Sequence, residues 1–340
     1  LAAVGNIGAV TGDFAITDND VLATINTTGS NFTVGRDVFV TGNSDGTSSV
    51  LATVNLSGLT QVGDDISMSN GNDNSAGAAV TLTSLTSVGD DVSIQQIANA
   101  ITTMAVCAVT GDVYINDNNA LCALDLSGLQ TIGGYLNIAD NYDACGSPTI
   151  DVADIQTIGG YLNVSGNNTM PGLDFDALTA VSGLDGTLSI DVDDNDALAS
   201  ISAPLLTSLG GALRLQNNEM VSSIDFSDLT SVGGSLTIDD EDLVIDLSGF
   251  AALTTVGGSV LITNNGALTS TDGLSSLTTV GSAGAPAQTM TVTNNPLLGT
   301  CCIIPCQLVS IDGVAQPFNG TVLNISGNLP VGSGGKCNTE

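Results

Sequence analysis

Apolar and polar residues alternate in short segments that return at a nearly constant interval along this chain. The clearest copy, Leu136-x-Ile138-x-x-Asn141, places two apolar residues on one face and an asparagine three residues later. Such alternation predicts a β-strand with one buried face. The segment recurs eight times more, each time ending in an asparagine: Asn19, Asn43, Asn118, Asn167, Asn218, Asn265, Asn295 and Asn328.

A glycine-containing phrase precedes the strands at intervals of 21 to 28 residues. It reads Val-Gly or Ile-Gly in most copies, as at Val88-Gly89 and Ile132-Gly133, and glycine suits a chain reversal there. Self-similarity at this period indicates a solenoid, in which each coil buries its apolar side against its neighbours. We therefore predict a mainly β fold with little or no helix, a right-handed parallel β-solenoid of about 13 coils of roughly 24 residues.

The repeats predict one continuous domain. Residues 1–295 form the repeat solenoid, and residues 296–340 form the last coil and a cysteine-containing cap. The chain starts almost inside the first coil without a polar cap, so we expect another domain or another copy to cover that end.

The recurring asparagines can form hydrogen bonds between adjacent coils. An asparagine amide carries two donors and an acceptor, so stacked copies can bond the turn backbone of adjacent coils as an asparagine ladder. Four coils carry another residue where the asparagine is expected, and we expect these coils to be looser or differently bonded: Gly71, Ile97, Asp193 and Glu241.

The leucine-rich strand, the asparagine in phase with it and the glycine corner resemble the leucine-rich repeat. They resemble more closely the L-domain-like repeats of receptor ectodomains and of bacterial and fungal surface proteins, over nearly the whole chain. The final cysteines resemble the terminal cap of secreted Bacteroidetes repeat proteins. That resemblance implies secretion, an oxidising compartment and disulfides at Cys301, Cys302, Cys306 and Cys337.

Three further cysteines lie in the middle of the chain. Cys122 and Cys145 each follow a ladder asparagine by four residues in neighbouring coils, which puts their backbones about 5 Å apart and within disulfide reach. Cys107, one coil earlier, is the competing partner and the expected odd thiol.

Charge and composition narrow the function. The net charge is −32 with only three cations, Arg36, Arg214 and Lys336, which excludes phosphate recognition and hence nucleic acid. The sequence contains no run of about 18 apolar residues, so it predicts no membrane span. The chain has no histidine, so we predict a protein that is not an enzyme and has no cofactor apart from calcium. Polysaccharide cleavage by aspartates alone is the open alternative.

Two acidic runs, 191–196 and 239–242, are candidates for calcium. Oxygen-rich turns supply the hard ligands that calcium prefers, although neither the EF-hand nor the β-roll spacing occurs. A solvated acidic turn is the alternative interpretation. Repeat phase pairs the six candidate ligands across one intervening coil: Asp191 with Asp239, Asp193 with Glu241 and Asp194 with Asp242.

Three tyrosines share one predicted patch. Tyr135 and Tyr161 occupy the same outward position in consecutive coils, and Tyr114 lies diagonal to them. Their rings predict a platform for sugars or a protein partner, with simple cross-strand stacking as the alternative. Seven Asn-x-Ser/Thr triplets are glycosylation candidates, or chance products of the composition: Asn26, Asn31, Asn55, Asn163, Asn167, Asn319 and Asn324.

Two functions fit these features. The sequence favours a non-catalytic extracellular structural or adhesive protein, a filament or surface-layer subunit that packs end to end with other copies of itself. The alternative is a receptor-like or adhesin module at the cell surface that binds extracellular glycans or proteins.

Overall fold

A computed structural model of the chain describes most of the predicted coils. The chain forms two compact units, Leu1–Pro171 and Gly172–Glu340. Each unit is a stack of parallel strands, and no α-helix occurs within the described ranges, so the predicted mainly β parallel solenoid is confirmed. The structure describes residues 7–19, 22–27, 31–43, 53–69, 79–96, 101–104, 106–118, 121–141, 149–183, 188–281, 288–299, 310–311, 314–315, 323–326 and 328.

The strands that carry the apolar-x-apolar pattern form the front sheet. Consecutive front strands of each unit pair in parallel and in register, so that Leu136 lies beside Val113 and Leu162. With strands numbered in chain order, the front sheet of the first unit contains β1 (Phe14–Thr17), β4 (Val38–Thr41), β7 (Ile66–Ser69), β10 (Val92–Gln95), β13 (Val113–Asn116), β16 (Leu136–Ala139) and β19 (Leu162–Ser165).

Two more sheets close each coil of the first unit. The back sheet contains β3 (Phe32–Val34), β6 (Leu59–Val62), β9 (Ser87–Val88), β12 (Ala108–Val109), β15 (Thr131–Ile132) and β18 (Thr157–Ile158). The side sheet contains β2 (Thr24–Asn26), β5 (Thr53–Asn55), β8 (Ala79–Leu82), β11 (Ile101–Met104), β14 (Ala123–Asp125) and β17 (Thr149–Asp151).

The second unit repeats this plan. Its front sheet contains β22 (Leu188–Asp193), β25 (Ala212–Gln216), β28 (Leu236–Asp239), β30 (Val260–Thr263), β32 (Met290–Thr293) and β35 (Leu323–Ser326). Its back sheet contains β21 (Ala180–Val181), β24 (Ser208–Leu209), β27 (Ser231–Val232), β29 (Thr255–Val256), β31 (Thr279–Val280), β33 (Ser310–Ile311) and, antiparallel to β33, β34 (Val314–Ala315).

The side sheet of the second unit is shorter. It consists of β20 (Leu173–Asp174), β23 (Ser200–Ser202) and β26 (Ser223–Asp225). Short 3-10 helices follow in the next two coils, at Ser248–Phe250 and Asp272–Leu274. Phe226 and Phe250 stack there with ring centroids 5.6 Å apart.

The interior of each unit is a column of branched aliphatic side chains. Leu136 and Ile138 of β16 are fully buried, whereas Asn137 between them faces outward. Burying one such aliphatic side chain contributes about 1.5–3 kcal/mol, and every coil contributes several. The alternation that predicts the strands is therefore the alternation between the interior and solvent.

A residue with a positive φ, in the left-handed backbone conformation, follows nearly every front strand and precedes the ladder position. Aspartate or asparagine is common there, because short polar side chains tolerate positive φ better than other non-glycine residues do. The sequence analysis did not identify this requirement. The residues at this corner are Asp18, Gly42, Gln96, Asp117, Asp140, Gly166, Asp194, Asn217, Asp240, Asn264 and Asn294.

The ladder asparagines connect adjacent coils. The Nδ2 of Asn141 donates to the carbonyl of Ile115, 2.7 Å away in the coil before, and to Oδ1 of Asn167, 3.0 Å away in the coil after. Its own Oδ1 accepts from Asn118. The same bonds join Asn19 to Asn43, and, in the second unit, Asn265 to Asn295 and Asn295 to Asn328.

One ladder member was assigned wrongly from the sequence. Asp193 was placed at the asparagine position, but the structure places Asn195 there, where its Nδ2 donates to Oδ1 of Asn218 at 3.0 Å. Strand register pairs Ile190 with Leu213 and Val192 with Leu215. The apolar pair of this coil is therefore Ile190 and Val192, two residues later than the assignment of Asp193 requires. Gly71 and Ile97 lie outside the described residues.

Most of the predicted cap also lies outside the described residues, so the boundary at residue 296 stays a prediction. Among the residues that the structure does describe, no helix is both long and apolar enough to cross a bilayer.

Candidate binding site

A column of aspartates runs along the first unit at the position just before the front strands β4, β7, β10 and β13. The backbone N–H of Asp91 donates to Oδ1 of Asp65 at 3.0 Å, and that of Asp112 donates to Oδ1 of Asp91 at 2.7 Å. Asp37 begins this aspartate column, and Tyr135, whose N–H donates to Asp112, follows it. One oxygen of each carboxylate therefore holds the next coil.

The second unit uses neutral groups at the same position. The hydroxyl of Ser235 accepts from the N–H of Ser259 at 3.1 Å, and Ser259 accepts from Thr289 at 3.0 Å. Ser189 likewise accepts from the N–H of Gly211. The acceptor oxygen at this position therefore does not have to carry a negative charge.

An open cavity of about 490 Å³ lies on the outer face of the front sheet beside the aspartate column, and we call it the groove. Outward side chains of successive strands form its floor, because Ser67 pairs with Phe39 and Ser93, and Ser93 pairs with Tyr114. The groove is lined by Phe39, Asp65, Ile66, Ser67, Asp91, Ser93, Gln95, Tyr114, Asn116 and Asn137.

The carboxylates at the groove are crowded. Oxygens of Asp65, Asp90 and Asp91 lie within 4.8 Å of one another. The pKa of exposed Asp90 is raised, first by the charge of Asp91. No cationic side chain among the described residues lines the groove, so this end of it has a negative potential. These residues were not among the sequence candidates, although the phrase Val-Gly-Asp-Asp marks both coils.

The three predicted tyrosines divide into a pair and a single residue. Tyr135 and Tyr161 lie in contact, with ring centroids 4.6 Å apart and planes inclined by 47°. Tyr114 lines the groove, and its hydroxyl donates to Oδ2 of Asp112 at 2.6 Å. This hydrogen bond is the main cause that raises the pKa of Tyr114 above its usual range, and it fixes the ring at the groove.

The predicted pairing of the two acidic runs is wrong. Strand register aligns Asp193 with Gln216, and Gln216 with Asp239, so Asp193 and not Asp191 matches Asp239. The apolar pair of β22 lies two residues later than repeat phase placed it, which also explains this error. Glu241 then matches Asn195 and is fully buried, which removes it from the surface on which a calcium ion was expected.

Arg214 occupies the centre of the remaining acidic residues. Its Nε and Nη2 donate to the two oxygens of Asp191, both at 2.6 Å, and Nη2 also contacts Asp193 at 3.2 Å. Asp194 accepts from Asn217, and Asp239 accepts from Thr263 and Asn264. Among the described residues, no three of the six candidates lie close enough together to hold one ion, and calcium binding there stays a prediction: Asp191, Asp193, Asp194, Asp239, Glu241 and Asp242.

We expect Arg214→Gln to lower the free energy of unfolding of the second unit by about 2 kcal/mol, because it leaves the buried Asp191 without its bidentate partner. Urea denaturation at neutral pH measures this. Arg36→Gln is the matched control, since exposed Arg36 reaches its aspartates only at 3.7–3.9 Å and should contribute less than about 0.5 kcal/mol. Equal losses would contradict the assignment.

The cysteines are only partly described. Cys107 is an exposed free thiol, and Cys122 is disulfide-bonded. Its predicted partner Cys145 lies outside the described residues, as do Cys301, Cys302, Cys306 and Cys337, so these pairings stay predictions.

The glycosylation candidates differ in accessibility. Asn31 is exposed, and Asn26, Asn55 and Asn163 are partly exposed. Asn167 is 1% exposed, and its Nδ2 donates to the carbonyls of Ile138 and Ser165, so no glycan fits on it in the folded chain and that candidate is wrong. Asn319 lies outside the described residues, and the structure describes only the backbone of Asn324, in β35.

No protein-family model matches this chain, and no curated protein or solved structure shows significant similarity to it.

Proposed function

We propose that this chain is a non-catalytic, extracellular adhesive repeat protein that binds glycans through the groove. The observation that carries the proposal is the lining itself, in which the rings of Phe39 and Tyr114 flank amides, hydroxyls and carboxylates in one open cavity. Sugar rings present apolar faces edged by hydroxyls, so their recognition needs flat apolar surfaces with hydrogen-bonding groups around them.

The scaffold supports this use because the groove is preorganised. Its lining comes from strands β4, β7, β10, β13 and β16, which pair in register through their backbones. Side chains on paired strands have little freedom left to lose, so binding costs less conformational entropy there than on a loop.

Charge limits the class of glycan. Asp65 and Asp91 lie at the groove, and its described lining holds no cationic side chain, so sulfated or uronic-acid polymers would be repelled. We therefore propose neutral or amino-sugar polymers as ligands. Extracellular secretion and an adhesive rather than enzymatic role are parts of the same proposal.

We expect Tyr114→Ala to weaken glycan binding roughly ten-fold, because it removes both a ring face and the group that Asp112 positions. The chain is first screened on a glycan array, and the affinity for the best ligand is then measured by calorimetry. Thr237→Ala, an outward front-sheet residue of the second unit, is the matched control and should bind like the wild type.

Three outcomes would count against the proposal. They are the absence of any ligand on the array, equal affinity of the Tyr114 variant, or preferred binding of polyanions. Release of reducing sugar from a bound polymer, lost in Asp91→Asn, would instead support the acid-catalysed cleavage that the sequence left open.

Self-assembly into a filament or surface layer is the second candidate function. It is favoured by β1, whose inward side chains Phe14 and Ile16 remain partly exposed, whereas their counterparts Val38 and Val40 in β4 are buried. These residues line a second cavity of about 400 Å³. Another copy that added its strands there would bury them. Fibres in electron micrographs of the purified chain support this function, and dispersed monomers oppose it.

We also propose that the coils are of the leucine-rich-repeat, L-domain-like type and that residues 296–340 form a cysteine cap. The support is the asparagine in phase with each front strand and the confinement of four cysteines to the end of the chain.

A further inference from the structure

Glu241 occupies a ladder position that asparagine occupies in the neighbouring coils. Its Oε1 accepts from Nδ2 of Asn218 at 2.8 Å, and its backbone N–H donates to Oδ1 of Asn265 at 3.1 Å. Its side chain thus continues the ladder as an acceptor, and its backbone continues it as a donor.

The donor that an asparagine side chain would supply is missing at this coil. Asn218 donates its Nδ2 to the carbonyl of Val192, and Asn265 donates its Nδ2 to the carbonyl of Ile238, each in the preceding coil. The equivalent carbonyl for position 241 belongs to Leu215, the register partner of Val192 and Ile238. An ionised carboxylate has no hydrogen to offer it.

The surroundings oppose a negative charge at this position. Glu241 is 0% exposed, and its Oε2 has no hydrogen-bond partner among the described residues. Removing a carboxylate from water without a paired cation is costly. The nearest guanidinium, that of Arg214 on β25, is already bound by the carboxylates of β22.

The other charged groups around this turn are also acidic. Asp193 ends β22, Asp239 ends β28 and is followed by Asp240, and Asp242 follows Glu241. On the other side, Asn264 and Asn265 after β30 are neutral, and the turn after β25 adds only exposed Glu219. No cation faces the carboxyl group from any of these elements.

We propose that Glu241 is held as a neutral carboxylic acid around neutral pH, and that its Oε2–H takes the place of the asparagine amide donor in the ladder. The buried proton is thus part of the structure of this coil. Its loss at alkaline pH places an uncompensated charge inside the ladder and loosens the coil, which makes the second unit sensitive to pH.

The direction of the pH effect follows from the two protonation equilibria. Burial, as the largest cause, raises the pKa of Glu241 from 4.5 to about 8, against the lowering effect of the Asn218 hydrogen bonds. Between these values the unfolded chain loses the proton and the folded chain keeps it, so stability falls as the pH rises. The contribution is complete below about pH 4.5 and is lost as the pH passes through about 8.

Carbon-13 NMR of glutamate side chains tests the protonation directly. The chain contains only three glutamates, Glu219, Glu241 and Glu340, so selective labelling gives three carboxyl resonances. The resonance that disappears in Glu241→Gln identifies residue 241 and should titrate near pH 8. The proposal is overturned if that resonance already has the ionised shift at pH 6.

Urea denaturation of the same variant tests the structural role. Glutamine keeps the acceptor and adds a permanent donor, so Glu241→Gln should match the wild type near pH 5 and exceed its urea midpoint increasingly up to pH 9. Asp242→Asn, an exposed neighbour, is the matched control and should keep the wild-type pH dependence. A midpoint difference that does not change with pH would refute the role of the proton. If the variant does not fold, the wild-type spectrum alone decides, because three glutamate carboxyl resonances that are all ionised at pH 6 overturn the proposal.

Discussion

Replacing Asn141 by alanine is expected to destabilise the first unit by about 3–5 kcal/mol. The amide of Asn141 is 5% exposed and makes bonds in both directions along the stack. Its removal takes the acceptor from Asn118 and the donors from the Ile115 carbonyl and from Asn167. Each buried polar group that loses its partner costs about 1–3 kcal/mol, which makes this loss larger than that of a single surface bond.

The matched control is Asn163→Ala. Asn163 lies on the outer face of β19, partly exposed, with its amide bonded to Asn137 and Ser165. Water can replace these bonds, so we expect a loss below about 1 kcal/mol. Urea denaturation followed by circular dichroism measures both variants. Similar losses in the two would show that the asparagine ladder does not hold the coils together.

Replacing Gly159 by alanine is expected to cost about 3 kcal/mol, because the new methyl group has no space. A Cβ at Gly159 would overlap the carbonyl oxygen of Gly133 one coil earlier. That oxygen is part of the backbone and cannot turn away as a flexible side chain can. The substitution therefore forces two stacked coils apart at the end of β18 in the back sheet.

Gly12→Ala provides the control, because a Cβ at Gly12 meets no atom within 4 Å. Neither glycine has a left-handed φ, so the two substitutions differ in space and not in backbone strain. We expect the thermal midpoint to fall only in the Gly159 variant. A comparable fall in both would indicate a loss of flexibility instead of a steric clash.

Much of this fold could be predicted from the sequence because every coil of a solenoid uses the same buried residues and the same contacts to its neighbours. Leu136 and Ile138 must face inward, and Asn141 must meet the coil before it, so a single well-formed copy predicts the others. The positive φ after nearly every front strand was not predicted, because Asp140 and Asp117 look like ordinary polar turn residues in the sequence.

The candidate sites were less predictable because they depend on register. Phase counting aligned Asp191 with Asp239, and the choice of the wrong apolar pair in one strand made this wrong by two residues. The groove was missed for a different reason: its residues come from five strands and share no motif, although Tyr114 was identified as one member. The sequence shows that Glu241 replaces the asparagine of the repeat, but only its burial in the structure indicates that its carboxyl group has to keep a proton.

In the aspartate column, the hydrogen bond that joins adjacent coils does not depend on the negative charge of the side chain. Each carboxylate in the first unit needs one oxygen to support the next coil, and serine supplies that oxygen equally well in the second unit. The negative charge itself is not needed for that bond. Exchange of aspartate, asparagine and serine along this edge can therefore change the charge of the surface while the bonds between coils are kept. The ligand preference of the face can then change without a change in the fold.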